Sequence, residues 1–200
     1  MTREEMKDEN RNNLLNSAYD LFIKNGIENT SIQDIANNAG LGKGTFYTYF
    51  KDKYEVRNLL IHIKTNELFL SAYKKLQLTG DNIKYLSDRT VFVIDNFINE
   101  LINKPNLLKF ISKDLSYGLY KNAINEIYIG SKQSLLDLFS KGIKKNGEKI
   151  KKPKLLLNMI IELVGATCYN SIVFSEPLPI NDYKYFLFDN VKALIENPNN

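Results

Sequence analysis

Apolar positions recur at helical spacing along almost the whole chain. Leu14, Ala18, Leu21 and Phe22 predict a first amphipathic helix that closes near Asn25 and Gly26. Ile32, Ile35, Ala36 and Ala39 predict a second, with Thr30 as its N-cap and Gln33 completing a capping box. Gly40 then supplies a turn without steric penalty for positive φ. Leu41, Phe46 and Phe50 read as the inward anchors of a third helix, and Asp52 with Glu55 caps the fourth. Lys43, Gly44, Thr45, Tyr47, Thr48 and Tyr49 are left to face outward. Two short helices joined by a Gly-containing turn, the second basic, aromatic and hydroxyl-rich, form a helix-turn-helix. That geometry lays the second helix in the major groove of DNA while the first crosses the backbone.

Beyond Asp52 the periodicity predicts further helices at residues 53–75, 82–102, 106–115, 122–141, 153–174 and 182–196. Gly80, Lys104-Pro105, Gly118, Pro177 and Pro179 mark the breaks. No run alternates with period two and no hairpin dipeptide joins β-rich segments, so the expected fold is all-α. The expected domains are residues 1–52, carrying the helix-turn-helix, and residues 53–200, a helical domain.

At this point the sequence resembles a known family. The stretches A-Y-D-L-F-I-K-N-G-I (18–27), T-S-I-Q-D-I-A (30–36), A-G-L-G-K-G-T-F-Y-T-Y-F (39–50) and K-D-K (51–53) resemble the DNA-binding domain of TetR-family transcriptional regulators. The resemblance covers about a quarter of the chain, with several anchors and both turn glycines in register. One departure is Gly42, where the family often carries Ser or Thr; glycine is also an acceptable N-cap. The resemblance implies an all-helical homodimer with a carboxy-terminal effector domain. It also implies a ligand-responsive regulator, expected to be a repressor, that releases a palindromic, inverted-repeat operator on double-stranded DNA. By the same resemblance Lys43 reads guanine and Gly44 admits the groove. Thr45, Tyr47 and Tyr49 donate to phosphates and Thr48 meets a thymine methyl. Gln33 reaches a base or phosphate, and Lys53 with the capped fourth helix holds a phosphate.

Composition narrows the picture. A chain of 200 residues with 44% hydrophobic positions can bury a real core. The net charge of +4 is modest, and the helix-turn-helix domain is not basic overall; Lys43, Lys51 and Lys53 cluster around the recognition helix. The densest basic run, from Lys141 to Lys154, reads as a solvated interhelical loop containing Gly142 and Gly147, with a second nucleic-acid patch as the alternative. Residues 1–13 are polar and charged, the longest apolar run is broken by Glu162, and Cys168 is the single cysteine. A cytoplasmic protein with no membrane segment is expected. One histidine, His62, and one cysteine far from it supply neither a catalytic triad nor a metal cluster, and no phosphate-binding loop is present. The protein is therefore not expected to be an enzyme, and no cofactor or metal is expected.

The eighth and ninth helices carry apolar stripes: Leu156, Ile160, Leu163 and Thr167 in one, Tyr183, Phe186, Leu187, Val191 and Leu194 in the other. Small residues Gly165 and Ala166 would admit another helix closely, so two helices from each subunit suit a four-helix dimer bundle. Phe92, Phe97, Phe110, Tyr117, Tyr120, Tyr128, Phe139 and Tyr169 offer aromatic surface for an apolar pocket, with plain core packing as the alternative for each. Asn158, Glu162, Ala166 and Tyr169 share one helix face. Glu162 there is the expected polar anchor, answered by a cationic ligand, by a neighbouring lysine or by solvent. The competing class is a structural DNA binder without an effector, which a cavity in the second domain would disfavour.

Overall fold

The computed structural model describes residues 2–80, 82–111, 134–147 and 149–197, apart from the side chain of Asn146. Among them lie nine helices and no strand, the expected all-α class. They fall into two compact units, Met1–Ile61 and His62–Asn200. Helix α4, Lys53–Leu78, begins in the first unit and continues into the second. The units thus divide inside α4, whereas the sequence pattern separates the domains after Asp52.

In the first unit, α1 spans Arg3–Asn25, opened by a Thr2–Glu5 capping box. Helix α2 spans Ile32–Asn38. Its N-cap is Ser31 rather than Thr30: the Ser31 hydroxyl accepts from the Asp34 N–H, and the Asp34 carboxylate accepts from the Ser31 N–H at 3.0 Å. Thr30 is instead buried, its hydroxyl donating to the Gly26 carbonyl at 2.8 Å. Two of three successive residues can cap, and the one with a carboxylate three positions on prevails. Gly40 takes φ 69°, closing the turn into α3, Lys43–Tyr47. The Ser17 hydroxyl donates to the Ile35 carbonyl at 2.7 Å and accepts from Asn38 at 3.1 Å, pinning α2 to α1. Leu14, Ala18, Ile35, Ala36, Phe46 and Val56 are completely buried, so every helix of this unit contributes to one core.

The second unit continues with α5, Leu86–Ile102, α6, Pro105–Ile111, α7, Leu135–Asn146, α8, Pro153–Val173, and α9, Ile180–Glu196. Helix α5 starts at Leu86 rather than at residue 82. Residues 112–121 and the first part of the helix expected at 122–141 lie outside the described residues. The described α7 opens at a Ser134–Asp137 capping box and runs through Gly142 to Asn146. Lys144 and Lys145, beyond the expected helix end at Lys141, are therefore helical, which corrects the expectation of a loop there. The cause is the strong start at Ser134 together with Leu135, Leu138, Phe139 and Ile143, which keep helical spacing past Gly142.

Helices α5, α8 and α9 pack together, and α7 lies against α8 and α5. Polar ties fix the outer pairs. Lys184 bonds Asp95 at 2.9 Å, Lys192 bonds Asp88 at 2.6 Å, and the Ser87 hydroxyl donates to Glu196 at 2.6 Å, so α5 and α9 are joined along their length. Ser71 and Lys75 of α4 both donate to Glu100 of α5. Helix α8 has the length and apolar composition of a membrane span, yet it buries Leu156, Leu157, Ile160, Ile161, Val164 and Cys168 inside this unit. It is a core helix. Ile180, Leu187, Val191 and Ile195 form the buried face of α9, leaving Tyr185 and Phe186 exposed.

Candidate nucleic-acid interface and effector cavity

The short α3 is held by its apolar side. Phe46 is fully buried and packs against Phe50, which in turn receives the Arg11 guanidinium over its ring. That anchoring leaves the opposite side to solvent. Lys43, the first residue of α3, and Gly44 are exposed, and Tyr47 is 53% exposed beside the edge of Phe46. Thr48 is exposed with its hydroxyl donating to the Thr45 carbonyl at 2.6 Å; Thr45 and Tyr49 are half-buried. Gln33 on α2 is exposed and donates to Asn37 at 2.7 Å. The structure therefore brings Lys43, Gly44, Thr45, Tyr47, Thr48 and Tyr49 onto one short helix and its exit, with Gln33 on the preceding helix.

Lys53 stands apart from that set. Its ammonium donates to the carbonyls of Ile27 at 2.7 Å, Thr30 at 3.0 Å and Glu28 at 3.2 Å. An ammonium has three donors, and all three are engaged inside the domain. The N-terminus of α4 is likewise occupied, because Asp52 accepts from the N–H groups of Tyr54 at 2.9 Å and Glu55 at 2.8 Å. Lys53 is a strut that ties the α1–α2 connection to α4, not a side chain held ready for a phosphate. Lys53→Met is expected to lower the stability of this unit by about 2 kcal/mol, the scale of hydrogen bonds made by a charged group. Denaturant unfolding checks this; unchanged stability with weakened DNA binding would restore the phosphate role.

In the second unit, α4, α5, α7 and α8 enclose a cavity of about 190 Å³. Phe69 and Tyr73 of α4, Val93 and Phe97 of α5, Phe139 of α7 and Val164 of α8 give it an apolar body. Phe97 and Phe139 were expected in such a pocket and line it. The rest of the expected set lies elsewhere. Phe92 borders a separate surface groove with Tyr85 and Phe188, and Phe110 is buried on α6. Asn158 and Tyr169 are half-buried on α8, Tyr169 edge-on to Phe174. Tyr117, Tyr120 and Tyr128 lie outside the described residues. Glu162 is exposed and sits across α8 from Leu157, Ile161 and Val164, because at 100° per residue the two sets point in opposite directions. Its carboxylate is solvated and needs no ligand to satisfy it. Arg89 was missed by sequence reasoning; the available signal was a lone cation on the stripe Leu86, Thr90, Val93 and Phe97.

Cys168 is fully buried, and desolvation pushes its thiol up to about 12. At neutral pH it stays protonated and is not a nucleophile. Among the described residues no group of His, Cys, Asp and Glu side chains could hold a metal ion.

A helix-turn-helix unit with an exposed, cation-tipped third helix is followed by a helical unit with its own cavity. Residues 14–59 match the family of bacterial regulatory proteins, tetR family. An HTH-type transcriptional regulator of Staphylococcus aureus (strain USA300) is 35% identical over 69 residues, covering 34% of this chain and 37% of the relative. The match thus spans little more than a third of that relative's length. Among solved structures, a TetR transcriptional regulator from Rhodococcus sp. RHA1 superposes with TM-score 0.65 at 14% identity, covering 96% of this chain and 99% of the other. The transcriptional regulator FadR from Bacillus subtilis in complex with stearoyl-CoA gives TM-score 0.55 at 17% identity over 92% and 97%. These two likenesses show that the shared fold extends through the second unit.

Proposed function

We propose that the protein is a cytoplasmic, sequence-specific DNA-binding transcriptional regulator, a repressor that binds an inverted-repeat operator as a homodimer and releases it when a small molecule enters the second-unit cavity. The observation that carries the DNA-binding half is Gly44. Its backbone is not in the left-handed region, and a Cβ there would meet nothing within 4 Å. Nothing in the folded chain requires glycine at this helical position, where alanine is the more stable choice by about 0.5–1 kcal/mol. A surface pressed against the α3 backbone does require it. Gly44→Ala is therefore expected to raise stability slightly while weakening operator binding. Thermal melts and DNA titration of the same preparation check both; undiminished binding would remove the groove contact from Gly44.

The regulatory half rests on α4. This helix gives Phe69, Tyr73 and Leu76 to the cavity, and its first turns carry Val56 and Leu60 in the core of the helix-turn-helix unit. A ligand that displaces the α4 residues at the cavity tilts the helix that follows the recognition helix through Phe50, Lys51 and Asp52. Two recognition helices of a dimer must keep a fixed separation to dock on one face of DNA, so a small tilt sacrifices contacts in one half-site. That FadR was solved with stearoyl-CoA supports a small-molecule signal in a protein of this fold. Linkage requires operator and ligand to weaken each other by one factor; a coupling of about 2 kcal/mol corresponds to roughly thirtyfold.

A further inference from the structure

We infer that the cavity takes an uncharged, flat ring compound that packs against the aromatic side chains α4, α5 and α7 bring to it. This rests on the cavity being the effector site and deepens that reading by assigning the ligand's chemical class. Phe69 and Tyr73 of α4, Phe97 of α5 and Phe139 of α7 line the cavity. Phe69, Phe97 and Phe139 are buried from solvent, so these rings belong to the core and still border open space. The Phe69 and Tyr73 rings have centroids 6.0 Å apart and planes 20° from parallel, so α4 presents two rings in nearly one orientation. A ring that borders a void lacks the contacts a close-packed interior supplies. A flat aromatic ligand restores them best, because aromatic pairs meet offset-stacked or edge-to-face with centroids about 4.5–7 Å apart. A saturated ring of equal size fills the space without that complementarity. The volume of about 190 Å³ suits one ring or two fused rings, since apolar cavities of about 150 Å³ already hold benzene.

The basic groups at the rim are committed elsewhere. The Arg89 guanidinium donates to the Ile83 carbonyl at 3.1 Å. Lys141 and Lys145 are exposed to water. The Asp137 carboxyl is held below its ordinary range by hydrogen bonds with Ser134 and then by the Lys141 charge, and Lys145 has a further interaction of its own. An anionic head therefore meets solvated, engaged cations at the rim and, among the described lining residues, only apolar buried side chains inside. Drawing a charge of either sign in beside Leu157, Ile161 and Val164 strips its hydration without a buried partner. A cation can meet aromatic faces, but here it would pass charged groups that, among the described residues, are all basic. An uncharged ligand meets neither cost.

The full-length protein is titrated calorimetrically at neutral pH with 2-naphthol, decahydro-2-naphthol, 2-naphthoate and 2-naphthylmethylammonium. The account expects 2-naphthol to bind about tenfold or more tighter than either charged probe. It is also expected to exceed its saturated counterpart by about threefold or more, the scale of one aromatic pair. Phe139→Leu, or Phe97→Leu should the first fold poorly, is expected to weaken 2-naphthol by about threefold and the saturated alcohol by less. Val164→Phe, or Thr90→Phe in its place, fills the cavity and is expected to weaken every probe. A charged probe or the saturated alcohol binding as tightly as 2-naphthol overturns the ligand class and leaves the cavity as the effector site. So does 2-naphthol binding that is indifferent to loss of a ring. Binding of 2-naphthol that survives the filled cavity, or no binding by any probe, overturns both.

Discussion

Replacing Ala166 by arginine is expected to convert the protein from a dimer to a monomer and to abolish operator binding. Ala166 is exposed on α8, on the face that also shows Leu155, Met159 and Val173 at 53%, 44% and 44% exposure. On α9, Tyr185 and Phe186 are 64% and 61% exposed. Five apolar side chains on two neighbouring helices, with a small residue at the centre of one, suit the close approach of a second copy and a four-helix interface. An arginine there becomes an unpartnered charge in each half of the interface, a cost of about 3–5 kcal/mol. Sedimentation velocity reads the outcome directly. An unchanged dimer would move the interface to another face. Glu162 is exposed on this same surface, away from the cavity.

Lys43→Ala is expected to act on sequence discrimination and to leave the fold intact. Lys43 is exposed at the start of α3, and none of the hydrogen bonds or ion pairs that hold the unit uses it. If its ammonium donates to guanine, its loss removes about 1–3 kcal/mol of discrimination at one base pair in each half-site. Tyr47→Phe removes a hydroxyl proposed to reach phosphate and is expected to weaken all sites about equally. Titrating the two variants against operator and single-base variants separates the roles. Lys43→Ala with unchanged affinity and preference would place the base reader elsewhere.

Most of the fold was legible because helical periodicity and caps are local signals. The α1 end at Gly26, the turn at Gly40, the Asp52 cap and the extents of α8 and α9 follow from residues within a turn or two of each boundary. The recognition surface was legible for the same reason: once Phe46 and Phe50 are inside, Lys43, Gly44 and Tyr47 have to be outside. What failed depended on partners distant in sequence. Nothing near Lys53 announces that its ammonium will reach three carbonyls between Ile27 and Thr30. The polar line Asn158–Glu162–Ala166 looked like a pocket wall because helical spacing says which residues share a face and not what that face meets. The cavity draws instead on Phe69, Arg89 and Lys141, on three separate helices, and only tertiary packing brings them together.

Selection of bound duplexes from a random DNA pool tests the central claim most directly. The account predicts enrichment of one inverted repeat whose half-site centres stand one helical turn, about 10 base pairs, or a multiple of it apart. The same selection with Lys43→Ala should lose its preference at a symmetric pair of positions. A pool that emerges without a shared sequence, or with a single asymmetric site bound by a monomer, would contradict it.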